Sequence, residues 1–449
     1  MKRTDVLIIG GSAAGLTTAV TGKATYPEKD FLLIRKEEKV MVPCGIPYIF
    51  GSLQNSEQNI LPGDAMYEKL GIRYEIGEVT DVYQHKKICK TSDGQEIHYE
   101  KLVLATGSLP KVPQSLNRAK YKNVHVIPKN KEYLDNLVNQ LNGGKRIAIV
   151  GGGFIGVEIA DELNKKGNDV TIIEILPHIL SLSFDEEFAM EAEQIITDRG
   201  VSITKNTQVK EILGYGDKAD GLLLNNGSEL KADNIILSMG YHPNTSLAKS
   251  AGLKINENGF IEVDEYMRSS DSDIFAVGDC AEKRDFVTRK PTGVMLASTA
   301  CAEGRTAGLN LFKLCALKTF NGTIAIYSTA IDSMGFGTAG LTENKAKTEG
   351  FDVVVGTFSG MDKHPGKLPG TKTQIVKLIA SRESGVIIGG EVVGGVSVGE
   401  LINLIGFIIQ TKTDVHTLLT AQIGTQPMLT ASPAAYPLIK AAEIIAREL

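Results

Sequence analysis

Apolar residues in this chain gather in short unbroken runs separated by helix-spaced stretches. The run from Asp5 to Ile9 predicts a buried strand, followed by a glycine turn, a helix and a second buried strand, DFLLIR, over Asp30 to Arg35. The same grammar returns downstream as RIAIV from Arg146 to Val150, then GGGFIGVEIADELNKKG, then DVTIIE from Asp169 to Glu174. Two such units about 140 residues apart predict two nucleotide-binding domains of α/β type. Between them, KTSDGQEIHYEKLVLATGS predicts a hairpin ending in a buried strand, and the polar stretch Pro110 to Asn123 a crossover into the second domain. After Gly240, SDIFAVGDCAE predicts another buried strand, and Thr292 to Leu314 a helix of small residues. From Thr323 the segments TIAIYSTA, DVVVGTF, QIVKLIA and GVIIGGEVVG predict strands, and Val398 to Gln410 and Ala434 to Glu448 helices, together a third domain of α+β character.

A chain of 449 residues accommodates two to three domains. Apolar and charged fractions of 42% and 22% are those of a globular protein. A net charge of -5 leaves no basic footprint, so nucleic acid is not expected as a partner, and the absence of Trp argues against a base- or sugar-stacking surface. Five scattered cysteines, an odd number, argue against a secreted disulfide framework and point to a reducing cytoplasm. The start DVLIIGGSAAGLTTAV has the apolarity of a signal segment, but three glycines break it and only Lys2 and Arg3 precede it. Val386 to Gln410 is interrupted by Glu391, Glu400 and Asn403, so no stretch reaches the ~20 apolar residues of a membrane span. No metal site is expected.

The first turn, GGSAAG from Gly10 to Gly15, fits the dinucleotide fingerprint with Ser12 in place of the middle glycine. Glycine lets the helix N-terminus approach a pyrophosphate, whose charge the free N–H groups stabilise. The second turn, GGGFIG, is a complete match at Gly151, Gly153 and Gly156. Glu174 lies 18 residues after Gly156, where an acid accepts hydrogen bonds from adenosine ribose hydroxyls and repels a 2′-phosphate, favouring NADH over NADPH. The corresponding strand end in the first unit is Arg35. Either Glu37 or Glu38 takes the ribose contact there, or Arg35 serves another group. ATG at Thr106 and Gly107, and Asp279 just after a buried strand, complete the pattern; a short acid at Asp279 suits a ribityl chain, which a flavin nucleotide has.

With GGSAAG, ATGS, GGGFIGVE, SMGYHPN and FAVGDCA in this order, the chain resembles the FAD-dependent pyridine nucleotide-disulfide oxidoreductases. The resemblance implies two Rossmann-like dinucleotide-binding domains, the second inserted in the first, and a C-terminal α+β dimerisation domain. FAD is expected in residues 1–115 and 245–322, NAD(H) in 116–244, and a homodimer contact in 323–449 that completes each active site. The implied cofactor-binding positions are Gly10, Ser12, Ala14, Gly15, Arg35, Lys36, Val79, Thr106, Gly107 and Asp279, with Gly151, Gly153, Ile155, Gly156, Glu174 and Gly240. CGIPY with one cysteine resembles the single-cysteine branch: coenzyme A-disulfide reductases, NADH persulfide or polysulfide reductases, and NADH oxidases and peroxidases. Its cysteine maps onto Cys44, its Glu onto Glu158 and its nicotinamide gate onto Phe154. Ser12, Ala13 and Ala14 stand where the peroxidases and water-forming oxidases carry a His. KHPG stands where coenzyme A-disulfide reductases carry Tyr-Tyr-Pro-Gly, leaving His364 as an acid/base candidate. Gln426 and Pro427 replace a His-Pro common near the C-terminus, with Tyr436 nearby.

The expected chemistry is hydride transfer from NADH to the flavin and passage of two electrons to sulfur or oxygen. Pro43 and Gly45 predict that Cys44 sits at a positive helix end with a lowered pKa. Cys89, Cys280, Cys301 and Cys315 read as packing residues, and Asp185 and Glu186 as helix capping and surface charge. Three functions fit: reduction of a small disulfide, persulfide or polysulfide through Cys44; oxidation of NADH by oxygen with Cys44 cycling through sulfenate; or a flavoprotein subunit passing electrons to a partner protein.

Overall fold

The structure, a computed structural model, describes residues 2–116, 118–316 and 319–449; Asn117, inside the expected crossover, lies outside the described residues. The first sheet has seven strands. Its parallel core sets Lys2–Ile9 between Phe31–Arg35 and Glu96–Leu104, with Ile274–Ala276 pairing on the far side of the latter. Every residue of FLLIR is buried, as expected of a parallel strand covered on both faces. The opening strand starts three residues before the predicted Asp5, because Lys2, Arg3 and Thr4 continue the ladder against Ile97, His98 and Tyr99.

The second sheet is wholly parallel, in the order Ser202–Thr204, Asp169–Ile173, Arg146–Val150, Asn234–Leu237, Val124–His125, and a three-stranded antiparallel sheet flanks it. Its entry and exit lie side by side, since Ser108–Pro110 pairs antiparallel with Tyr241–Pro243. The third unit is a five-stranded antiparallel sheet with helices Val398–Gln410 and Pro437–Glu448 packed on it. Two predicted helices are shorter than expected. The helix of small residues runs over Ala297–Leu309, where Asn310 stops it by accepting Cys315 N and Ala316 N on its side-chain oxygen; Thr292 belongs instead to a short strand. The last helix begins at Pro437, whose fixed φ suits a first turn.

One apolar core joins all three units. Ile147, Ile149, Val157 and Leu163 of the second, Ile331, Phe336 and Val393 of the third, and Met41, Ile46, Ile49 and Phe50 of the segment around Cys44 form a single cluster. The sequence thus places a lone sulfur where the three units meet.

Candidate active site

Cys44 lies in a single 3-10 turn, Pro43–Gly45, followed by a second, Pro47–Phe50. Apolar anchoring by Ile46, Ile49 and Phe50 fixes these turns from below while Cys44 itself remains exposed. Asn59 holds the turn from the side: its amide donates to Val42 O at 3.0 Å, and a Cβ at Gly45 would lie 1.9 Å from its Oδ1, so a larger residue there would displace the Asn59 side chain. The predicted lowering of the thiol pKa does not hold. Crowding by the recess pushes the thiol up and the Glu158 carboxylate adds to this, against a smaller opposing pull from Lys129. A three-residue turn has too few aligned peptides to outweigh this crowding and charge.

Two acids face Cys44 from the two nucleotide units. Glu158, on helix Phe154–Lys165, accepts from Thr329 Oγ1 at 2.7 Å; burial pushes its pKa up to about 7, Thr329 pulls it back and Glu162 adds a further rise. Asp279 follows strand Ile274–Ala276. Burial alone would raise its pKa, yet Lys129 at 2.8 Å, Ser108 Oγ at 2.7 Å and the more distant Lys283 hold it low. Phe154 opens the same helix as Glu158 and stacks on Tyr327 of the third unit, ring centroids 5.0 Å apart and 10° from parallel.

The two glycine turns are near copies. Gly10 has φ +113° and Gly151 φ +109°, a region that L side chains rarely adopt, and a Cβ would meet Ala105 O at 2.1 Å and Ser238 O at 2.3 Å respectively. A Cβ on Gly15 or Gly156 would come as close, 1.9 Å and 2.0 Å from the carbonyl oxygens of Gly10 and Gly151. The helices that follow, Ala13–Thr25 and Phe154–Lys165, start at Ser12 and Gly153 with no side-chain cap, so their first N–H groups face outward. Both turns therefore suit a dinucleotide pyrophosphate. Ala14 is buried behind the first turn, and Ile155 packs behind the second.

The strand ends differ. Glu174 is 7% exposed and accepts Gly152 N at 2.6 Å and Leu176 N at 2.8 Å, one on each carboxylate oxygen. Arg35 is 4% exposed, with its two terminal nitrogens on Asp64 at 2.5 and 2.9 Å, one of them also on Glu38 O at 2.8 Å, and its Nε buried without a partner. That donor, whose side chain lies against Gly11 of the first turn, has no acceptor among the described residues. Lys36 extends to Glu78 at 3.0 Å, and Val79 opens the next strand half-buried. Thr106 donates to Asn244 O at 2.6 Å and Gly107 O accepts Asn244 N at 2.9 Å; Gly240 has open space above it. His364 sits apart from this cluster, its Nδ1 paired with Thr430 O at 2.9 Å in the third unit.

Sequence reasoning missed Lys129, Ser108, Thr329, Tyr327 and Asn59. A basic residue directly after the short buried segment VHVIP was the one visible signal, for Lys129. Asp185 stands at the N-cap of helix Glu186–Asp198 as expected, but it is buried and not a surface charge: its carboxylate accepts Glu343 N at 2.8 Å, Asn344 N at 3.1 Å and Lys377 Nζ at 2.8 Å, while Glu186 does remain exposed. Asp185, Glu187 and Glu343 come close enough to hold a cation, but the Lys377 ammonium lies among them at 2.8, 2.5 and 2.9 Å. Among the described residues no helix is long and apolar enough to cross a membrane.

Two dinucleotide turns flanking one exposed sulfur define a flavoprotein oxidoreductase with a pyridine nucleotide as its second cofactor. The chain belongs to the pyridine nucleotide-disulphide oxidoreductase family, whose main part matches residues 4–304 and whose dimerisation domain matches residues 326–435. It is an NAD(P)H-dependent oxidoreductase using FAD, and the dimerisation domain fits a homodimer. A protein named NADH oxidase from Methanocaldococcus jannaschii is 30% identical over 431 residues, 94% of each chain. One from Pyrococcus abyssi named NAD(P)H sulfur oxidoreductase (CoA-dependent) is 31% identical over 406 residues, 88% of each. Among solved structures, an NAD-dependent persulfide reductase from A. fulgidus superposes with a TM-score of 0.90 at 28% identity, over 99% of this chain and 83% of that one.

Proposed function

We propose that the chain carries electrons from NADH through FAD to Cys44 and reduces a small disulfide, persulfide or polysulfide. One observation carries the reading: Cys44 is free and exposed at the junction of the three units, with no second cysteine beside it, so the sulfur it exchanges with must arrive from outside. The Cys44 thiolate attacks one sulfur of the substrate, forming a mixed disulfide or persulfide and releasing the other sulfur as a thiolate. FAD, when bound and once reduced by NADH, would supply the two electrons that return Cys44 to thiolate and free the second sulfur product. Glu158, with its pKa near 7, is placed to hold the proton that a leaving thiolate takes up.

Gly10, Ser12, Ala14, Gly15, Arg35, Lys36, Val79, Thr106, Gly107 and Asp279 hold the FAD in this reading, within residues 1–115 and 245–322. Gly151, Gly153, Ile155, Gly156, Glu174 and Gly240 hold the NADH, within residues 116–244. Residues 323–449 complete the partner's site and His364 serves there as acid/base; the cysteine usage fits a cytoplasmic setting. Support comes from the sulfur and persulfide reductases among the relatives.

Replacing Cys44 with Ser is expected to lower sulfur reduction by at least about a hundredfold while leaving reduction of the flavin by NADH intact. Sulfur reduction at the wild-type rate would overturn the reading. A second reading, reduction of oxygen, rests on the 30% identical relative named NADH oxidase. Oxygen uptake with NADH alone, at a rate matching the best sulfur substrate, would favour it.

A further inference from the structure

Helix Phe154–Lys165 carries three side chains in register on one face: Phe154, Glu158 and, one turn further, Glu162. The first two belong to the site described above. Glu162 is 1% exposed, yet no nucleotide turn or strand end explains why a carboxylate should be buried there. Its oxygens reach out of the second unit into the first: one accepts Ser52 Oγ at 2.9 Å and the other accepts Ser52 N. A Cβ at Gly51 would lie 2.4 Å from the same carboxylate, so the backbone at Gly51 packs flush against the Glu162 side chain. Lys165 Nζ at 2.6 Å supplies the compensating charge.

Ser52 lies eight residues after Cys44 at the end of the two 3-10 turns, which buried Ile46, Ile49 and Phe50 hold down. The neighbouring Asp161 ties the same helix the other way, to Arg199 at 2.7 Å, which bonds Asp332 of the third unit at 2.7 Å. The helix that starts at the second glycine turn is thus pinned on one side to the thiol segment and on the other to the third unit.

We propose that Glu162 is a positioning residue: through Ser52 it fixes the Cys44 segment against the helix that carries Glu158 and Phe154. This rests on the reading of Cys44 as the working thiol. It extends that reading by making the pyridine-nucleotide helix and the thiol one rigid body, so that the separation of Cys44 from Glu158 is set by a residue touching neither substrate nor cofactor. A displacement of about 1 Å at such a site lowers a rate by up to about a hundredfold.

The test uses the FAD-loaded protein with Glu162→Ala, Glu162→Gln and Ser52→Ala. The first readout is the rate of Cys44 alkylation by iodoacetamide across pH; the groups facing the thiol are Glu158, Asp279, Lys129 and, on its own segment, Tyr48. The second is kcat and KM with a polysulfide solution, and the third is flavin reduction by NADH. Glu162→Ala is expected to change the alkylation rate at pH 7 by about fivefold and to lower kcat about tenfold, with flavin reduction unchanged. Glu162→Gln, which keeps one acceptor and the volume, should recover most of the loss, and Ser52→Ala should fall between. Alkylation profiles within twofold of wild type in every variant that holds FAD would overturn the proposal, whatever happened to thermal stability. Alkylation needs no electron acceptor, so a wild-type protein that failed to reduce polysulfide would sink the functional reading and leave this test standing.

Discussion

The two nucleotide units share a turn to within a few degrees, yet close it with opposite charges. At the second, Glu174 brings its own carboxylate to the strand end and clamps the turn through Gly152 N and Leu176 N. At the first, Arg35 occupies the equivalent place, and the acid comes from Asp64, on helix Gly63–Leu70, through a two-pronged pair. A glycine turn fixes where a pyrophosphate can lie, because N–H direction follows from backbone shape alone. What distinguishes one dinucleotide from another is read about twenty residues later, by side-chain charge, and there the two units have diverged.

The sharpest way to break this comparison is to remove the charge at the second strand end. Glu174→Gln keeps the shape but sets an amide against a backbone N–H, and it removes the repulsion expected for a 2′-phosphate. KM for NADH should rise about tenfold to a hundredfold, and the ratio of kcat/KM for NADH over NADPH should fall by at least as much. If both nucleotides weaken equally, Glu174 acts only as a clamp on the turn and does not read the ribose.

A smaller effect is expected at the first strand end. Arg35→Met removes the buried half of a pair whose other half, Asp64, is 47% exposed. Because Asp64 can turn to water, the loss should be about 1–2 kcal/mol, below that for a fully buried pair, and readable as a lowered denaturant midpoint. The orphaned Arg35 Nε adds a distinct expectation: with FAD in excess the midpoint of the wild type should rise more than that of the variant. Equal rises would mean that Arg35 supports the fold and makes no contact with the cofactor.

How far the sequence disclosed this arrangement follows the range of each interaction. Both glycine turns, the buried strands beside them and helix Val398–Gln410 were legible, since period and turn chemistry are local. Helix ends were less so: Asn310 halts one helix by capping residues five and six positions further on. Side chains that work across units were invisible. Thr329 reaches Glu158 over 171 residues of chain, Ser52 reaches Glu162 over 110, and the amide of Asp185 reaches Glu391 over 206. No periodicity marks such a residue. Asp185 in particular has the context of a helix cap, and only the packing of the third unit against it turns it into a buried acid. The expected lowering of the Cys44 pKa failed for the same reason: the recess that crowds the thiol, and the Glu158 carboxylate that adds to the rise, are assembled from distant parts of the chain.

The finest distinction between the units lies in the two acids that face Cys44, one pushed up and the other held down. Glu158 owes its pKa of about 7 to burial, moderated by one hydroxyl donor, whereas Asp279 has a cation and a hydroxyl of its own. Thr329→Val keeps the shape of the side chain and removes that donor. With the ionised form less well solvated, the Glu158 pKa should rise further. A step that takes its proton from Glu158 proceeds below that pKa and fails above it. The alkaline limb of the rate of sulfur reduction, near pH 7 in the wild type, should therefore move to higher pH, by roughly 0.5–1 on the pH scale. The rate well below the limb should hardly change. A limb that moves to lower pH, or stays where it was, would assign the proton to another group. Asp279, already ionised across this range, could not supply it, which would leave His364, the remaining acid/base candidate, as the next residue to replace.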